Sequence, residues 1–95
     1  MTTQDRAADS SPGAEDAVDR RAVVDLLGVL AYGELTAFER LATDARFAPT
    51  IADKHALASM AAAEFEHYRC LHEHLRGAGV DPEQALRDAV RRRRP

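Results

Sequence analysis

Two helical stripes separated by four residues constrain this chain more than anything else in it. In the first stretch Val23, Leu27, Leu30, Glu34, Phe38 and Leu41 recur at intervals of three and four, which is the spacing of one face of an α-helix. In the second, Leu57, Met60, Glu64, His67, Leu71 and Leu75 do the same. Between them stands "FAPT", residues 47–50. Pro49 disfavours helical geometry at Ala48, and Thr50 with Asp53 makes a capping-box-like start in which Asp replaces the usual Glu. The pattern predicts one helix from about Asp16 to Arg46 and a second from Ile51 to about Arg76. Two long helices joined by so short a link must fold back antiparallel. The expected architecture is an all-α helical hairpin, which cannot cover its own apolar stripe.

The flanking segments add less. "GAG", residues 77–79, ends the second helix, and Gly77 or Gly79 suits a left-handed cap. Asp81 and Pro82 read as the N-cap and first residue of a short third helix, with Ala85, Leu86, Ala89 and Val90 to bury. Gly28 and Gly33 weaken the first helix by about 1 kcal/mol each relative to Ala, and a close neighbour would explain them. Residues 1–15 are polar, small and unpatterned, and are expected to be a disordered leader. The organisation expected is therefore a leader (1–15), a hairpin (16–80) and a short helix with a basic tail (81–95).

With 95 residues the chain builds one small domain with a thin core, so partner chains or a missing second half are live options from the start. The net charge of −3 makes no general case for nucleic-acid or membrane surfaces. The run of four arginines at 91–94 lacks aromatic partners and reads as a solvated end before it reads as a grip on RNA phosphates. No apolar run approaches the roughly 20 residues of a membrane span, and no signal-peptide core opens the chain. The single Cys70 excludes an internal disulfide and suits a reducing cytoplasm, the expected location. Cys70 itself is expected to be a small buried residue, and His55, His72 and His74 to be exposed, like Glu39 and Glu66.

Charge on a buried stripe needs a reason. Glu64 and His67 are three apart and therefore neighbours on one helix face, while Glu66 points away. Glu34 is the matching interruption in the first stripe. It lies about 12 residues before the first helix ends, and Glu64 about 13 after the second begins. At a rise of roughly 1.5 Å per residue, the two face each other at one level. Two carboxylates and an imidazole then converge in an otherwise apolar seam, with no Arg or Lys on either stripe at that level. Unpaired, they would cost several kcal/mol. A divalent cation would neutralise them, and oxygen with imidazole suits iron or manganese, with zinc also compatible. Tyr32, Phe38 and Tyr68 line this region or simply pack.

This arrangement resembles half of the ferritin-like di-iron carboxylate site, a Glu on one helix and Glu-x-x-His on the next. The stretches "AYGELTAFERLA" and "AAEFEHY" within residues 17–81 are similar to the first two helices of an actinobacterial ferritin-like family, one related to the tRNA hydroxylase acting on methylthio-isopentenyl-adenosine. The resemblance carries Glu34, Glu64 and His67 onto the family's first three iron ligands, and Tyr68, next in sequence to that histidine, is a candidate for a supporting role beside the metal. It implies a non-haem di-iron oxygenase that oxidises a substrate C–H bond, with tRNA as substrate and an external reductase as electron source. A complete member would have two more long helices with a second Glu and a second Glu-x-x-His. Two readings follow: a shortened or frameshifted product whose arginine run is out of frame, or a homodimer in which each hairpin supplies half a site. Iron handling by a symmetric dimer and a metal-free helical interaction module are the alternatives from other functional classes.

Overall fold

The computed structural model describes residues 12–93, which form three α-helices and no strand. Helix α1 runs Pro12–Arg46, α2 Ile51–Gly77 and α3 Pro82–Arg93. Helix α1 begins four residues ahead of the expected Asp16, because Pro12 is compatible with the first helical position, where its missing N–H is not needed. The rest of the expected leader, residues 1–11, lies outside the described residues.

The turn between α1 and α2 is capped from both sides. Thr50 has extended backbone geometry, and its Oγ1 accepts from the Asp53 N–H at 3.0 Å. Lys54, one turn into α2, donates from Nζ to the Ala45 carbonyl at 3.2 Å and the Arg46 carbonyl at 2.9 Å. A cation therefore closes the carbonyl end of α1, where the helix dipole favours it. Helix α2 ends in a left-handed cap at Gly79, φ +79°. The Val80 N–H bonds the Leu75 carbonyl at 3.1 Å and the Gly79 N–H the Arg76 carbonyl at 2.9 Å, the paired bonds that only a residue free to take positive φ makes cheaply. Asp81 Oδ1 then accepts from the Glu83 N–H at 3.1 Å and starts α3.

Helix α3 returns across the hairpin and packs chiefly on α1. Gly28 makes that possible: a Cβ at this position would stand 2.8 Å from the Ala85 carbonyl oxygen. The close neighbour expected at Gly28 is thus found, whereas a Cβ at Gly33 would meet nothing within 4 Å. Ala31, Leu75 and Ala85 form the buried cluster, with Val24, Leu27, Tyr68, Leu71, Val80 and Leu86 packed against it. Ala89 is fully buried as well. The basic tail folds back on its own surroundings. Arg91 bonds Asp88 at 2.8 Å, Arg92 reaches Asp25 of α1 at 3.5 Å, and the Arg93 guanidinium lies 6.0 Å from the Tyr32 ring centre.

The core is rotated from the stripe that the sequence suggests. On α1 it centres on Val24, Leu27 and Ala31, while Val23 and Leu30 of the expected stripe are about half exposed, as is Met60 on α2. The reason is that α3 covers one flank of the hairpin and leaves the other bare, so the buried arc turns toward α3. Two residue expectations also change. Cys70 is exposed, because six residues from Glu64 carry it about 240° around the helix, away from α1. His72 is half-buried rather than exposed, its ring 5.7 Å from that of Tyr68 one turn earlier.

Candidate metal centre

Midway along the hairpin, α1 and α2 bring Glu34, Glu64 and His67 together. His67 Nδ1 lies 2.9 Å from Glu34 Oε2 and 3.1 Å from Glu64 Oε1. The level argued from helix rise is therefore met by a direct contact between residues 33 apart in sequence. Each position follows from the local fold. The caps at Thr50 and Lys54 fix the register of α2 on α1, and the three-residue step from Glu64 to His67 puts both on the side that meets Glu34.

The environment differs from the dry seam expected. Among the described residues no charged or polar residue is fully buried. The Glu34 and Glu64 side chains are 27% and 28% exposed, and that of His67 is 65% exposed. The trio lies on the edge of the hairpin core, with its open side facing away from α3. Burial alone consequently does not force a cation onto these carboxylates, since solvent reaches them. Hydrogen bonds that the imidazole donates to Glu64 and then Glu34 favour its protonated form and raise the His67 pKa above its ordinary value.

The donor set fits a divalent metal. One atom from each of the three residues can be chosen so that all lie within 4.8 Å of one another. Ligands about 2.1 Å from a metal and at right angles to each other stand about 3 Å apart, which is the separation of Nδ1 from both carboxylate oxygens. An ion taking the place of the shared proton would thus need only small side-chain shifts. Two oxygens and one imidazole nitrogen suit iron, manganese or zinc, and three ligands from one side leave coordination positions open.

Tyr68, although next in sequence to His67, is half-buried against the core cluster, with its ring 5.5 Å from Phe65. Phe38 joins Phe65 at 5.4 Å, so this aromatic row ties α1 to α2 beside the site. Glu39 and Glu66 are exposed as expected, Glu66 bonded to Arg69 at 2.8 Å. Sequence reasoning missed the small residues that let the helices approach, Ala31 and Ala61, because an alanine carries no strong signal of burial.

A comparison with family profiles finds a match over residues 17–92 to the family described as ferritin-like domain, actinomycetes. That span takes in all three helices and all three candidate ligands. No curated protein matches the chain. No helix among the described residues is long and apolar enough to cross a membrane.

Proposed function

The chain belongs to the actinomycete ferritin-like domain family, and from that premise we propose that it is a non-haem iron protein whose Glu34, Glu64 and His67 hold a divalent ion, Fe(II) before Mn(II) or Zn(II). The observation that carries this reading is the convergence of both carboxylates on one imidazole nitrogen at separations of 2.9 and 3.1 Å. Glu34 and Glu64 supply charge that a cation neutralises. His67 must give up its proton to bind, and its hydrogen bonds to the carboxylates are what the ion replaces. Phe38 and Phe65 pack ring to ring beside the site, while His67 is open to solvent. An iron centre here would supply dioxygen chemistry. On the finer reading it serves a hydroxylase that acts on a modified tRNA base, with electrons from an external reductase.

The test is an anaerobic Fe(II) titration followed by native mass spectrometry, with Glu34→Ala beside the wild type. Uptake of Fe(II) that the variant loses supports the reading, and uptake that survives Glu34→Ala contradicts it. Iron-dependent dioxygen consumption stimulated by tRNA would extend it to the hydroxylase. One observation favours a second reading. His67 Nδ1 already lies within hydrogen-bond reach of both carboxylates, so a metal-free interaction module would be a coherent state of this fold.

A further inference from the structure

Between α1 and α3 runs a groove of about 480 Å³, lined by Tyr32, Leu35, Leu86, Arg87, Val90 and Arg91. Its shape follows from where the two helices touch. Gly28 of α1 meets the backbone of Ala85, and Ala85 and Ala89 are both buried. Small residues at the contact bring the helices close, and larger residues beside them then wall the flank without filling it. On α3 these are Leu86 and Val90, each one residue after an alanine and about 100° around the helix. On α1 they are Tyr32, which follows the buried Ala31, and Leu35 one turn on. All four are half-buried. A further step of about 100° around α3 brings Arg87 and Arg91 to the rim, where both are exposed.

The geometry points to this groove as a binding site for a single-chain fatty acid anion, with the alkyl chain on the apolar floor and the carboxylate on Arg87 and Arg91. Charge complementarity selects the head group. Two guanidinium groups and no carboxylate line the groove, and α3 as a whole carries four arginines against two acidic residues. Arg92 is drawn off to Asp25, but Arg93 adds a third guanidinium 6.0 Å from the Tyr32 ring centre. Arg87 and Arg91 do have partners on their own helix, Glu83 at 3.4 Å and Asp88 at 2.8 Å. Exposed pairs three or four residues apart are weak and exchange readily for a ligand. Arg87 and Arg91 stand one turn apart, so their forked donors suit one small planar anion such as a carboxylate. The floor selects the tail. Leu35, Leu86 and Val90 offer only apolar contact, and the volume suits a small molecule rather than a partner helix. A nucleic-acid strand would need several rings for its bases to stack on, and this groove has one. Leu35 follows Glu34 in sequence but lies about 100° around α1 from it, so the inference stands whether or not the trio holds an ion.

The experiment is a titration of the full, ¹⁵N-labelled chain with decanoate, kept below the concentration at which it forms micelles and followed by amide chemical shifts. Decanol, octanoate and vesicles of phosphatidylglycerol are run beside it. The test variant is Arg87→Gln with Arg91→Gln, and the control is Arg69→Gln, which removes an exposed arginine of α2. All the substituted side chains are exposed, and circular dichroism checks that helix content is kept. The expected result is saturable movement of the Tyr32, Leu35, Leu86 and Val90 amides by decanoate. Each methylene removed on going to octanoate should weaken binding about two- to fourfold. Decanol on the wild type, and decanoate on the double variant, should bind more than about tenfold more weakly, with Arg69→Gln unchanged. Decanoate that moves none of these amides, moves the exposed Val23, Leu26 and Leu30 instead, or unfolds the chain overturns the inference. Equal affinity for decanoate and decanol, or for wild type and double variant, overturns it as well. So does a chain that binds the vesicles and ignores decanoate.

Discussion

Gly28 and Gly33 allow the same substitution to be made twice in one helix with opposite expected signs. At either position Ala gains about 1 kcal/mol from helix propensity. At Gly33 nothing opposes that gain, since an added Cβ meets no atom within 4 Å. At Gly28 the Cβ would stand 2.8 Å from the Ala85 carbonyl oxygen and 3.2 Å from its carbonyl carbon. Both are backbone atoms of α3, which cannot swing aside as a side-chain tip would. Relief requires α3 to lift from α1, loosening Ala85 and Ala89, and overpacking of this kind costs about 1–3 kcal/mol. The net expectation for Gly28→Ala is a loss of up to about 2 kcal/mol, against a gain of up to about 1 kcal/mol for Gly33→Ala. At about 4–8 °C per kcal/mol for a domain of this size, the two Tm values should fall on opposite sides of the parent. The assay is thermal unfolding by circular dichroism of both variants beside the parent, at one protein concentration. If Gly28→Ala were as stabilising as Gly33→Ala, the close seating of α3 on α1 would be refuted.

Further expectations concern the caps and the proton at the site. Thr50→Ala removes the oxygen that accepts from the Asp53 N–H and should cost about 1 kcal/mol, read as a lowered urea midpoint with an unchanged m-value. The Arg20 Nη2 donates to the Ala78 carbonyl at 2.6 Å, so Arg20→Ala should lose about 0.5–1.5 kcal/mol and fray the end of α2 in amide exchange. Because the folded His67 pKa is raised, the apo chain gains stability from it below the ordinary value of 6.5, and loses that gain as pH rises through the raised value. His67→Gln should therefore destabilise the apo chain at acidic pH and converge with wild type at alkaline pH, by thermal melts across a pH series. Fe(II) affinity should move the other way, strengthening as pH rises, because the ion displaces that proton.

The trio was legible in the sequence because three facts sufficed: a three-residue step on one helix, a matching Glu on the other, and a link too short for anything but reversal. What periodicity could not show was which arc of each helix becomes the core. Leu30 and Ala31 are adjacent, yet the alanine is fully buried and the leucine 46% exposed. That choice is made by α3, which seats Ala85 and Ala89 on α1 at Gly28; the sequence marked these residues one by one, but not that their meeting would turn the core. Cys70 was misplaced for a related reason, since its usual preference for burial yields to its angle on the helix. The openness of the site has the same origin, because a third helix on one flank leaves the other flank, and with it His67, facing solvent.

The most direct test of the metal reading is the ¹⁵N resonance of the His67 ring on adding Zn(II), a diamagnetic stand-in for Fe(II), in histidine-labelled protein. The account predicts that His67 Nδ1 loses its proton and moves to a metal-bound shift, saturating as the site fills, while His55, His72 and His74 stay unchanged. A His67 ring that keeps its proton and its shift throughout the titration would contradict the claim that Glu34, Glu64 and His67 hold a metal.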